Sequence, residues 1–225
     1  NCGVYMMKIS KDTLDVLKNY ASINTNILVR EGSTLATIST GKNIFSRTTV
    51  KETFDKEFAI YDLNSLLALL TLMEDTDVEF GDESITISKD RSKFEYYYAD
   101  PSIIVAAPDK TIEVDNHFTF NLSSSEVAMI MKAAAITAAP MLSVVAKDGT
   151  VTLSVGDPAT PRSNSFRHVI GETDATDFDC RLAIENFKVI PGEYEITLSQ
   201  KKFMHLKNKA TDLQYWLALE PSSVI

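Results

Sequence analysis

Residues 10–24 read SKDTLDVLKNYASIN. Wound on an α-helix, Leu14, Leu17, Tyr20 and Ala21 fall on one side. Lys11, Asp15, Lys18 and Ser22, spaced i, i+4, i+7 and i+11, share the other. Ser10 is placed to cap the first turn. The stretch predicts a short amphipathic helix that presents two stacked lysines. It decides the fold because it opens an order of elements that occurs twice in the chain.

In the first half, NILVREGSTLATIST (26–40) predicts a hairpin about Glu31-Gly32, and GKNIFSRTTV (41–50) a further strand. FAIYDLN (58–64) leads into a second helix, with Asp62 as N-cap and Leu63 to Met73 as its body. VEFGDESITISKDRSKFEYYYAD (78–100) predicts three strands, broken at Gly81-Asp82 and at the charged turn around Lys89 to Arg91. Residues 99–117 hold two prolines and little helical period, which predicts a connector. In the second half, Ser123 to Ala139 is a helix opened by a capping box of Ser123 and Glu126. MLSVVAKDGTVTLSV (141–155) is a hairpin about Asp148-Gly149, and NSFRHVI (164–170) a strand. DFDCRLAIENFKVI (177–190) predicts a strand running into a fourth helix, stopped by Pro191-Gly192. The internal period of about 110 residues is longer than any solenoid unit. The expectation is an α+β fold of two duplicated domains, 7–107 and 118–225, each laying two helices on antiparallel sheet.

A chain of 225 residues with 44% hydrophobic and 24% charged residues has an ordinary globular composition. Its longest apolar run, within residues 66–73, is far short of the roughly 18 residues that span a bilayer. No signal-peptide pattern is read, and two cysteines, Cys2 and Cys180, are too few for a disulfide framework. A reducing cytoplasm is expected. Residues 1–6 stand outside the pattern, and Met7-Lys8 reads as a natural start.

Net charge is −9. Such a chain is repelled by nucleic acid unless its cations are gathered on one face. The helices offer that segregation. The third is expected to bury Val127, Ile130, Met131 and Ala134 and to show Ser125, Ala128, Lys132, Ala135 and Ala139. The fourth carries Lys188, with Glu185 a turn earlier, and the second shows Asn64, Ala68, Thr71 and Asp75 without a cation. Lys8, Lys11, Lys18, Lys132 and Lys188 on one surface would attract phosphates. No set of Arg, Asn and Gln accompanies them to read bases.

Catalytic and metal chemistry is not read. His117, His168 and His205 are scattered without ligand spacing. Glu74, Asp75, Asp77 and Asp82 lack the spacing of a calcium loop. GKNIF lacks the upstream glycine of a phosphate-cradling loop, VGDPATPRSN reads as an ordinary loop, and no nucleophile elbow occurs. No cofactor and no enzymatic activity are expected.

MKISKDTLDVLKNYASIN, AIYDLNSLLALLTLMEDTDVEF, YYYADPSIIVAAPDK and the ending PGEYEITL with YWLALE, in this order over residues 7 to about 222, resemble the sliding clamp of T4-type bacteriophages. The resemblance implies a DNA polymerase processivity factor: a homotrimeric ring, helices inside and sheets outside, that encircles duplex DNA and tethers the replicative polymerase after a clamp loader places it. It implies DNA contact through Lys8, Lys11, Lys18, Lys132 and Lys188, which match positions on the inner helices, with Arg91 near the ring's face. It also implies edge-to-edge subunit contacts, here KFEYYYAD (93–100) against NSFRHVI (164–170), with Phe94, Tyr96, Tyr98, Phe166 and His168 at the seam. A partner-peptide pocket would use Ile103, Ile104, Val105 and Pro108 of the connector, completed by Leu219 and Pro221. The implied setting is the cytoplasm of an infected bacterial host, away from any membrane. The alternative reading is a non-catalytic protein–protein scaffold of duplicated α+β fold.

Overall fold

The amphipathic stretch is helical: α1 (Lys11–Ile23) begins at Ser10, whose Oγ accepts from the Thr13 amide at 3.3 Å. Leu17, Tyr20 and Ala21 are buried, and Lys11, Asp15, Lys18 and Ser22 are exposed. The computed structural model describes residues 5–225, so Cys2 lies outside the described residues. Two compact units divide the chain between Asp109 and Lys110.

The first unit holds β1 (Tyr5–Met7), α1, β2 (Ile27–Val29), β3 (Gly32–Ile38), β4 (Ile44–Phe54), β5 (Phe58–Ile60), α2 (Leu63–Leu72), β6 (Val78–Phe80), β7 (Ser84–Lys89) and β8 (Ser92–Tyr97). One antiparallel sheet has the order β1-β6-β7-β8. β3 pairs with β4, and β2 pairs with β5 through Ile27↔Ile60 and Val29↔Phe58. The hairpin expected across Glu31-Gly32 is thus not a ladder. Ile27 and Val29 are buried with Phe58, Ala59 and Ile60, so β2 gains more by joining β5 in the core than by folding onto β3. The chain leaves β2 through Gly32, at φ 108°, a conformation open to glycine. α1 packs on β4 and beside α2. Its Tyr20 is fully buried and accepts a hydrogen bond from Ser46 Oγ at 2.9 Å. α2 starts at Asp62, which accepts from the Ser65 amide at 3.1 Å.

A buried carboxylate locks α1 to its sheet. Glu52 accepts from the Ser10 amide at 2.7 Å and from the Thr13 hydroxyl. Burial works to raise its pKa, but the bonds from Thr13 and Ser10 outweigh burial and hold it below the ordinary value of 4.5. Folding therefore favours the ionised form. Its contribution is present above the unfolded pKa and is lost as pH falls through the lowered folded one. Glu52→Gln is expected to lower stability by about 2 kcal/mol at pH 7. The gap to the parent should close as urea unfolding is repeated at progressively more acid pH.

The second unit holds β9 (Phe118–Leu122), α3 (Ser124–Thr137), β10 (Met141–Lys147), β11 (Thr150–Gly156), β12 (Phe166–Glu172), β13 (Phe178–Ala183), β14 (Tyr194–Ser199), β15 (Phe203–Asn208) and β16 (Gln214–Ala218). One sheet runs β12-β11-β10-β13, and another ladder runs β9-β14-β15-β16. Asp148 and Gly149, both at positive φ, make the β10–β11 turn that the sequence predicts. α3 carries the expected capping box. Val127 and Ile130 are buried, but Met131 is exposed and Ala139 is buried beyond the helix end, contrary to expectation. The helix stops at Ala138, which is left-handed at φ 51°, so the periodicity does not continue to Ala139.

The fourth helix is absent from this unit. A single 3-10 turn, Ile184–Asn186, stands in its place. Phe187 and Val189 are buried and Lys188 is exposed, which is the period of extended chain. Ile190 explains it: its amide donates to Tyr215 Oη at 3.0 Å and its carbonyl accepts from Tyr194 Oη at 2.5 Å. Pro191 also disfavours helix at the residue before it. Cys180 is buried and free, and burial pushes its thiol up to about 12.

Candidate nucleic-acid interface

α1 presents Lys11 and Lys18 to solvent on one face, with Asp15 and Ser22 between and beyond them. Asp12, on another face, is drawn to Lys51 at 3.2 Å. Lys11 and Lys18 have no ion pair among the described residues. Lys18 borders an open groove of about 550 Å³ with Asn64, Ala68 and Thr71 of α2, so the two helices share a shallow surface. Lys8 is exposed between β1 and α1, outside any helix. The expectation that it stands on a helix is corrected. Arg91 is exposed in the two-residue turn between β7 and β8, where Asp90 has φ 54°.

In the second unit, Lys132 is exposed on α3 with Ser125 and Ala135. Lys188 is exposed past the 3-10 turn, not on a helix. The helices also expose apolar groups that the sequence did not single out. Ile136 on α3 is 84% exposed and Leu72 at the end of α2 is 66% exposed. Each unit thus shows few cations on small-residue or apolar helix faces. Such a surface can hold phosphates loosely.

The seam residues fall on two outermost strands. On β8, Phe94 is exposed, and Tyr96 Oη accepts from the Asp62 amide at 3.1 Å and donates to its carbonyl at 2.9 Å. Tyr98, just past β8, stacks on Phe58 with ring centroids 4.9 Å apart. On β12, Phe166 stacks on His168, and His168 Nε2 lies 3.2 Å from Glu126 Oε1. The Ser123 amide, then His168, hold the Glu126 carboxyl below its usual range.

Around the connector, Ile103 is 62% exposed, Ile104 and Val105 are half-buried, and Pro108 is exposed. Side chains strap this segment to the first unit. Asn24 Nδ2 donates to the Val105 carbonyl at 3.0 Å, and Arg30 Nη2 to the Ala107 carbonyl at 2.8 Å. Beside Pro108 a cavity of about 240 Å³ is lined by Leu28, Arg30, Thr34 and Arg47. Sequence reasoning does not find those four, because residues far apart in the chain make the cavity. In the second unit Leu219 is buried and Pro221 exposed. No group of three metal-ligating side chains occurs among the described residues, and no helix there is long and apolar enough to cross a membrane.

This arrangement of helices on antiparallel sheets has the fold of solved PCNA and sliding-clamp structures. Proliferating cellular nuclear antigen from Entamoeba histolytica aligns with a TM-score of 0.70 at 16% identity, covering 98% of this chain and 100% of that one. The A. fulgidus PCNA, solved with the C-terminal region of FEN-1 bound, aligns at 0.68 and 12%, covering 94% and 96%. The family described as DNA polymerase processivity factor matches residues 10–106. The sliding clamps of Enterobacteria phage T4 and Vibrio phage KVP40 are 29% and 26% identical, covering 96% and 95% of this chain and 98% and 99% of theirs. In sequence over nearly its whole length, and in fold, the chain is similar to these clamps.

Proposed function

We propose that three copies of this chain close into a ring around duplex DNA and tether the replicative polymerase, with no chemistry of their own. One observation carries the reading. In a chain of net charge −9, Lys11, Lys18 and Lys132 stand exposed on α1 and α3 with no ion pair among the described residues, on helix faces that a clamp ring would turn toward its channel. Lys8, Lys188 and Arg91 join them as phosphate contacts. Clamp domains at 7–107 and 118–225, linked by 99–117, are part of this assignment. A closed ring needs only weak, sequence-blind attraction, because topology holds it on the DNA. Net negative charge elsewhere discourages binding on the wrong side.

Edge strands β8 and β12 of successive copies would form the seams, which also covers exposed sheet edges. Partners would dock at the connector, where Ile103 and Pro108 are open and Arg30 and Arg47 line a cavity. The C-terminal region of FEN-1 bound to A. fulgidus PCNA, a protein of similar fold, supports the capture of a partner segment. A clamp loader would open and place the ring, in the cytoplasm of an infected bacterium.

Two measurements test the proposal. Sedimentation equilibrium is expected to give a species near three times 25.0 kDa. Rings loaded on nicked circular DNA should be retained in gel filtration and lost once the circle is cut. A monomer at micromolar concentration, or retention indifferent to cutting, rejects the ring.

A further inference from the structure

β8 and β12 are the outermost strands of their four-stranded sheets. The other edges are less available. β1 has three residues, and β13 is covered by the segment around Val224, with the Asp179 amide donating to the Val224 carbonyl at 2.8 Å and the reverse bond at 2.9 Å. β8 and β12 are longer, at six and seven residues, and neither contains proline.

Their side chains alternate in matching fashion. On β8, Phe94 and Tyr96 stand opposite Ile87 and Ile85 on the core-facing side, while Glu95 stands opposite Thr86 on the outer side. On β12, Phe166 and His168 stand opposite Val155 and Leu153, while Arg167 stands opposite Ser154. Both core-facing sets are tied to the start of a helix: Tyr96 to Asp62 at α2, and His168 to Glu126 at α3. The two edges are therefore held in shape before any partner arrives.

Arg167 also lacks a carboxylate partner among the described residues. The other arginine on its cross-strand row is Arg181, reached through Ser154 and Ser143, and Asp179 holds it at 2.8 Å. Arg167 has no ion pair among the described residues. On β8, Glu95 has only its strand neighbour Lys93, at 3.2 Å.

We propose that β8 of one copy and β12 of the next join antiparallel in a single register, with Glu95 directly opposite Arg167. This rests on the ring reading. Every strand pair in both sheets is antiparallel, so the seam continues that pattern. Keeping one apolar face across the seam allows shifts only in steps of two residues. Lys93 opposite Arg167 sets like charges face to face, which is unfavourable. Tyr97 opposite Arg167 leaves Glu95 facing Val169 and the arginine still without an anion. The remaining register sets Glu95 against Arg167, Phe94 against His168, Tyr96 against Phe166, and Lys93 against Val169.

A charge swap tests this. Glu95→Arg and Arg167→Glu alone are each expected to weaken trimer assembly by roughly tenfold per seam, and the double variant to regain most of the loss. Oxidation of the Lys93→Cys/Val169→Cys variant, made with Cys2→Ser, should give covalent trimer. Tyr97→Cys/Val169→Cys, which a parallel seam would join, should not. This second readout stands even if a charge variant folds poorly. A parent trimer with indifferent single variants, or with the second cysteine pair cross-linking instead of the first, overturns the register and leaves the ring intact. A parent that is monomeric overturns both.

Discussion

Replacing Lys11, Lys18 and Lys132 by glutamate is expected to abolish stimulation of DNA synthesis, by at least roughly tenfold, while the mass in solution stays that of the parent. Each phosphate contact contributes about 0.9 to the slope of log affinity against log salt, so removing a few contacts collapses a weak, cation-driven attraction. Reversal does more than removal, since each site then repels the duplex. Lys11 and Lys18 lie on α1 and Lys132 on α3, with no ion pair among the described residues to lose. None is on β8 or β12, the strands proposed for the seam, so assembly is expected to be untouched. Lys147, exposed at the end of β10 and not on a helix, is the control, and its reversal should leave synthesis near the parental rate. Raising salt should bring the parent down toward the triple variant. Equal stimulation by both at low salt would remove these lysines from the DNA path.

Much of this arrangement is written locally in the chain, and the exceptions have physical causes. The caps of α1, α2 and α3 and the Asp148-Gly149 turn are short-range chemistry, settled within a few residues, and the structure contains each of them. Two of the departures, the missing hairpin and the missing fourth helix, are contests that local pattern cannot judge. β2 chooses β5 over its sequence neighbour β3 because five apolar side chains are buried together. The segment after Asn186 is apolar enough for a helix, yet two tyrosine hydroxyls of the neighbouring ladder claim both backbone groups of Ile190. The exposed cations were legible from helical spacing on α1 and α3. Lys8 and Lys188 were placed on helices that do not reach them. The cavity beside Pro108 was not legible at all, since Arg30 and Arg47 meet there only through the pairing of distant segments.

Phe58→Ala is expected to cost about 3–5 kcal/mol, a large part of the roughly 5–15 kcal/mol that holds a domain together. Phe58 is 6% exposed and sits among three other rings. Its centroid lies 5.8 Å from Phe54, 5.4 Å from Phe80 and 4.9 Å from Tyr98, in edge, tilted and stacked contacts. These rings come from β4, β5, β6 and the residue after β8, so no single strand can close the gap that truncation leaves. Phe58→Leu keeps most of the volume and should cost less than about 1.5 kcal/mol. The difference between the two variants isolates packing from mere loss of aromaticity, and urea unfolding reads it directly. The consequence reaches assembly. Tyr98 stacks on Phe58 immediately beyond β8, and the Ala99 amide donates to the Ala59 carbonyl at 2.9 Å. Loosening β5 therefore frees the end of the strand assigned to the seam. At equal native fraction, Phe58→Ala should dissociate at higher protein concentration than Phe58→Leu. A loss below about 1 kcal/mol would mean that the four rings do not pack as a unit, and the coupling from core to edge would fall with it.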